Sequence, residues 1–185
     1  MYFPIKFMSG GESHGPKISA IIDGIPSGFN IDINAINFQL LRRQKGFGCS
    51  ARMKIEKDVV VFFSGVINGK TTGLPIGFEI TNNDYNKNWK NKIIKPRAVP
   101  RPGHVDFVGS VKYFHNDLRL SAERASARET VVKVVMGSIC QQVLSYFQIR
   151  VCGFVIQIGN IKAKRNKDVS MDIENSKKSE FCFFH

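Results

Sequence analysis

Gly11-Glu12-Ser13-His14-Gly15-Pro16 stands between two short apolar runs, and the nature of the second run decides the fold. Upstream, Tyr2 to Met8 alternates well enough for a strand, which Ser9-Gly10-Gly11 breaks. Residues 11–15 also fit G-x-S-x-G, a turn in which a strand ends and a long helix begins directly after the serine. A helix there would mean strands and helices alternating about a parallel sheet. Downstream of Pro16, however, the apolar run Ile18 to Asp23 is short and is closed by Gly24 and Pro26. That run reads as a second strand, not a long helix.

Asn30 or Asp32 can cap a helix running to roughly Gln44, with Ile33, Ile36, Leu40 and Leu41 on one face. Gly46-Phe47-Gly48 ends it in a glycine-rich basic loop. Val59 to Ile67 and Leu74 to Ile80 read as strands joined through Asn68-Gly69, a strong hairpin signal. Gly69-Lys70-Thr71 is not a phosphate-binding loop, because Ser64 stands where the first glycine belongs and a proline-containing strand comes next. A polar loop rich in Asn and Lys runs from Thr81 to about Pro100. The clearest helix spans about Leu120 to Tyr146, with Val132, Met136, Ile139, Val143 and Phe147 recurring at core-facing steps. Val151 to Ile158 reads as a further strand. Strands and helices mix without regular alternation, so the fold class is α+β.

The 185 residues suffice for one domain with a hydrophobic core, and no solenoid-length repeat occurs. Residues 1–160 read as the structured part of a single domain and 161–185 as a charged tail. The tail ends in Phe181-Cys182-Phe183-Phe184-His185, aromatics with no neighbouring segment to bury them, which points to a truncation. Hydrophobic residues make up 43% and charged residues 23%, ordinary for a soluble globular protein, whereas the net charge of +12 implies a polyanionic or phosphorylated partner. The longest pure apolar run, Val59 to Phe63, cannot span a bilayer, and Met1 to Met8 lacks the parts of a signal peptide. Cys49, Cys140, Cys152 and Cys182 are scattered without metal or disulfide spacing, so we read free thiols in a reducing cytoplasm, with no metal site and no membrane partner.

Three stretches carry chemistry. In the first, glycines flank His14, whose imidazole can exchange a proton near neutral pH; an exposed His in a turn is the plainer reading. A serine hydrolase using Ser13 is a rival, but it lacks the helix after the serine and a well-placed acid and His downstream. In the second, Pro100-Arg101-Pro102-Gly103-His104-Val105-Asp106, prolines stiffen a loop in which Arg101 and His104 can point the same way; a rigid surface loop explains it equally. In the third, Glu123-Arg124-Ala125-Ser126-Ala127-Arg128-Glu129-Thr130, Arg124 and Arg128 share a helical face and suit phosphate or carboxylate, with a solvated ion-paired face as the alternative. A basic cluster, Arg42-Arg43 with Lys45 and Arg52, flanks the glycine loop. A basic nucleic-acid-binding module ranks last, because Phe and Tyr fall mostly in core-like strands and do not interleave with the cations.

Taken together these stretches resemble the chorismate synthase family. Gly11 to Pro16 with Asp23-Gly24-Ile25-Pro26, Ser64-Gly65-Val66 with Gly69 to Gly73, Arg101 to Asp106, and Glu123 to Thr130 are similar to four family motifs in the family's order. The resemblance implies a helical layer packed with antiparallel β-sheets. It also implies an anti-1,4-elimination of phosphate from 5-enolpyruvylshikimate 3-phosphate, giving chorismate, with reduced FMN as cofactor, NADPH as a candidate reductant, and a homotetramer. It places His14 near the leaving phosphate and His104 near the flavin as proton donors. Arg124, Ala125 and Ser126 would touch FMN with Arg43 beside the site, and Ser13, Arg101 and Arg128 would hold the substrate. Cys49 departs from the family's usual arginine, and the loop before Arg101 is shorter than usual. The family runs to roughly twice this length and its second half supplies further flavin contacts and an acid. The fold is therefore expected to be incomplete and the 185 residues alone inactive.

Overall fold

The computed structural model describes residues 4–45, 51–164 and 166–179. The glycine loop at 46–48, Cys49, Cys182 and the aromatic ending lie outside the described residues. Strands β1 (Lys6–Gly10) and β2 (Lys17–Asp23) pair antiparallel, with Phe7 opposite Ile22 and Gly10 opposite Ser19. Residues 11–16 are thus a hairpin loop. Gly11 opens it with φ +124°, where a Cβ would sit 2.6 Å from the Lys17 carbonyl oxygen, so only glycine fits. A strand comes after Pro16, and the strand-to-helix elbow that a Ser13 nucleophile needs is absent.

After helix α1 (Ile33–Gln44) come β3 (Val61–Ser64), β4 (Val66–Ile67), β5 (Lys70–Thr71) and β6 (Ile76–Thr81). The main sheet has the order β1-β2-β6-β3, all antiparallel. Asn68 and Gly69 (φ +50° and +74°) make the tight turn between β4 and β5, as their chemistry predicts. Alternation sets the sheet's faces: Ile18, Ala20 and Ile22 of β2 and Ile76, Phe78 and Ile80 of β6 are buried on one side. Helices α1 and α4 (Thr130–Tyr146) cover that side through Ile36, Leu40, Val131, Val132, Val135 and Ile139. Burying each such side chain fully is worth about 1.5–3 kcal/mol. The α+β architecture, helices against an antiparallel sheet, is as the sequence implies.

Asp32, not Asn30, caps α1, its carboxylate accepting the backbone N–H groups of Asn34 and Ala35. Asp32→Ala should lower stability by about 1 kcal/mol, read as a smaller urea midpoint at unchanged slope. Ile33 and Leu41 are 40% and 46% exposed, because α1 meets α4 along a narrower stripe than the four-residue face expected.

Several expectations need correction. The long helix from Leu120 is two helices: α3 (Leu118–Arg124) ends and α4 starts at Thr130, after a 3-10 turn at Ala127–Glu129. Ser126 makes the break, in extended backbone with its Oγ accepting the Arg128 N–H. Arg124 and Arg128 therefore do not share a helical face. Phe147 ends α4 at 59% exposure instead of in the core. Of the run Val151 to Ile158, only Gln157–Ile158 (β7) pairs, with Ile161–Lys162 (β8). The tail also contains a helix, α5 (Val169–Lys178), capped by Asp168. A further helix, α2 (Asp106–Tyr113), packs on α3 and is not legible in the sequence pattern. Among the described residues no helix is long and apolar enough to cross a membrane. Cys140 and Cys152 are free thiols.

Candidate active site

The loop between β1 and β2 is fastened from beneath by Asn82, fully buried just after β6. Its side-chain amide donates to the carbonyl of Gly15 at 2.7 Å, and its backbone N–H donates to Pro16 at 2.9 Å. Ser13, 1% exposed, donates its hydroxyl to Ser126 Oγ at 2.8 Å and accepts from Arg52 at 3.1 Å. Among the described residues no histidine reaches that hydroxyl, so the hydrolase alternative has neither its helix nor its base. His14 is half-buried, with Nδ1 2.7 Å from a carboxylate oxygen of Glu123 and its ring 4.1 Å from the ring of Trp89.

The second imidazole comes from the proline-stiffened loop. Asp106, wholly buried at the start of α2, organises it. Its carboxylate accepts from Arg101 Nε and Nη2, both at 2.9 Å, and from the Arg101 backbone N–H at 3.1 Å; His104 Nδ1 lies 2.7 Å away. The Arg101 guanidinium holds the Asp106 carboxyl far below the usual carboxylate range, outweighing burial, with help from His104. Both cleft histidines thus present Nδ1 to a carboxylate, the arrangement that fixes an imidazole's orientation.

The two loops meet across a cleft of about 220 Å³. His14, Arg101, His104, Ala125 and Ser126, all singled out from sequence, line it together. So do Ala127, a small residue of the third stretch, and Trp89, Arg97, Arg119, Ala122 and Glu123, which carried no assigned role; only the neighbourhood of these five to the charged or proline-bounded runs could have signalled them. Three arginines against one carboxylate in the lining make an anion-receptive wall. Ser13 lies behind Ser126. Arg124 is exposed beside the cleft, its guanidinium over the Tyr113 ring at 5.7 Å.

Arg43 and Arg128 do not line the cleft. Arg128, 6% exposed, donates to Asp58 at 2.6 Å, to Asn82 Oδ1 at 2.7 Å and to the Thr81 carbonyl at 3.3 Å. Arg43 reaches Asp58 at 3.4 Å, Thr130 Oγ1 at 3.0 Å and the Ala127 carbonyl at 3.1 Å. Buried acceptors draw both inward from the lining: Asp58 and Asn82 for Arg128, and Asp58 for Arg43, which the resemblance puts beside the site.

The family model described as chorismate synthase matches residues 5–182. Chorismate synthase of Caldanaerobacter subterraneus subsp. tengcongensis is 48% identical over 174 residues, covering 94% of this chain and 49% of that protein. Chorismate synthase of Aquifex aeolicus is 44% identical over 175 residues, covering 90% and 44%. A crystal structure of chorismate synthase superposes with a TM-score of 0.77 at 34% identity, covering 97% of this chain and 48% of the other. The chain spans about half the length of the curated relatives it matches.

Proposed function

Because this chain belongs to the chorismate synthase family, we propose that it forms the N-terminal half of a lyase that removes phosphate from 5-enolpyruvylshikimate 3-phosphate by anti-1,4-elimination. The product is chorismate, on the shikimate pathway to aromatic amino acids. The reading rests on two imidazoles and three arginines converging on one cleft.

The cleft residues suit an anionic, partly planar ligand. Arg119 Nη1 is buried with no hydrogen-bond acceptor among the described residues, an unmet donor in the cleft wall. Ala122, Ala125 and Ala127 leave that wall low enough for a flat ring system. The volume of about 220 Å³ is below the roughly 300–1,000 Å³ of a complete small-molecule pocket. A family-length second half would complete it, and reduced FMN is the cofactor these residues fit. When bound, reduced FMN would supply electron density as the phosphate leaves.

In this reading the chain's own residues bind, orient and carry protons. Arg101, with Arg97 and Arg119, holds phosphate and carboxylate groups of the substrate by charge-assisted hydrogen bonds. His14 holds a proton for the departing phosphate, and His104 holds one on the cofactor side. Arg124, Ala125 and Ser126 form the cofactor's edge of the cleft. Ser13, Arg43 and Arg128 act one layer back, keeping the His14 loop and the 126–130 turn in place. NADPH as source of electrons, a homotetramer, and a cytoplasmic location complete the proposal.

Anaerobic phosphate release with reduced FMN and the enolpyruvyl substrate tests it. The 185-residue chain alone should show no turnover. Joined to the second half of the Caldanaerobacter relative, it should release phosphate, and His14→Ala in that chimera should cut the rate by about 100-fold or more. Full turnover by the chain alone, or none by a folded chimera, would overturn the reading.

A further inference from the structure

Glu123 has no part in the chemistry above, yet its contacts are those of a clamp. Oε2 accepts the His14 backbone N–H at 2.7 Å, and Oε1 lies 2.7 Å from His14 Nδ1. The Glu123 carbonyl accepts the Ser13 N–H at 3.3 Å. One residue at the end of α3 therefore fixes both the position of residue 14 and the rotation of its ring. Trp89 restrains the ring's face, at 4.1 Å between centroids and an interplanar angle of 42°. Trp89 is itself held by Asp84, which accepts its indole N–H at 2.9 Å, and carries the Lys92 ammonium 4.9 Å from its centroid. The charged groups around the imidazole are Glu123, with Arg119 behind it on α3, and Asp84 and Arg52 from the loops beneath.

Burial pushes the Glu123 carboxyl up, but hydrogen bonds from the ring and backbone N–H of His14, with the charge of His14 and then of Arg119, outweigh it and hold the group below its ordinary value. An ionised carboxylate only accepts hydrogen bonds, so Nδ1 must carry a hydrogen. We propose that Glu123, braced by Trp89, is a positioning residue that holds His14 as the Nδ1–H tautomer, so that proton exchange with a ligand in the cleft passes through Nε2 alone. The proposal rests on the reading that His14 faces an anionic ligand, and it adds which ring atom does the exchange and what enforces it.

The test is long-range 15N–1H NMR of the histidine rings in the labelled 185-residue chain, above the imidazole titration range. Wild-type His14 should show the Nδ1–H pattern. In Glu123→Ala it should move to Nε2–H, the form an unconstrained imidazole prefers, while His104, paired with Asp106, keeps its pattern as internal control. Glu123→Gln keeps the side chain's volume and one acceptor oxygen, and should give a mixture of the two forms. Nε2–H at His14 in the wild type overturns the proposal, as does an unchanged tautomer in both variants. If Glu123→Ala does not fold, the wild type and Glu123→Gln decide. No turnover enters this readout, so its failure and the failure of the lyase reading are separate results.

Discussion

Arg128→Ala is expected to lose about 3–5 kcal/mol of stability, because it leaves the Asp58 carboxylate buried without its main partner. The Asp58 side chain is fully buried, and Arg128 Nη1 sits 2.6 Å from it; Arg43, at 3.4 Å, is the weaker second cation. Against a total of about 5–15 kcal/mol for a domain, that loss is a large share of the margin. The effect should reach the cleft too, since Arg128 Nε holds Asn82, and Asn82 holds the carbonyls of the His14 loop. Urea unfolding followed by circular dichroism measures it. Neutralising the partner, in the double variant Arg128→Met with Asp58→Asn, should recover at least about 1 kcal/mol by the logic of a mutant cycle. A loss below about 1 kcal/mol for Arg128→Ala would mean that its guanidinium is not spent on Asp58. Arg128 would then be available to the substrate, as the resemblance alone implies.

That contrast shows which parts of the molecule the sequence makes legible. The β1–β2 hairpin and α1 can be read locally, because strand alternation, glycine and proline punctuation and an Asp cap act within a few residues. Asn68-Gly69 is legible for the same reason. The break between α3 and α4 is not. Ala125, Ala127, Arg128 and Glu129 all favour helix, and what stops the helix at Ser126 is tertiary: Ser13 donates to its hydroxyl across 113 residues, and Arg128 is drawn inward to Asp58, 70 residues away. His14 and His104 stand out because glycines and prolines frame them. Glu123, Trp89, Arg97 and Arg119 do not, since a charged run or a polar loop looks the same whether it faces solvent or a cleft. The direction in which Arg128 points depends on acceptors distant in the chain, and no spacing rule reports it.

The same dependence on a buried carboxylate governs the other half of the cleft, where Asp106→Ala should disable Arg101 and His104 together. Three donors of Arg101 and the ring of His104 converge on this carboxylate, and Arg97 stands 3.7 Å away. Arg101 and Arg97 are nearly half exposed, so solvent screens their share and the expected stability loss is smaller than at Arg128, about 1–3 kcal/mol. The loss at the site should be larger. With no acceptor to aim them, Arg101 and His104 sample many rotamers, and binding of inorganic pyrophosphate, a simple probe for the cleft's cations, should weaken at least about 10-fold by calorimetry. Because the folded value of Asp106 lies below its unfolded one, its contribution is present above the ordinary carboxyl value near about pH 4 and fades as the pH falls below it. Wild-type stability should therefore drop below about pH 4 by more than that of Asp106→Asn, which has no such proton to take up. Equal acid sensitivity of the two proteins, together with unchanged pyrophosphate binding in Asp106→Ala, would remove Asp106 as the organiser of this loop.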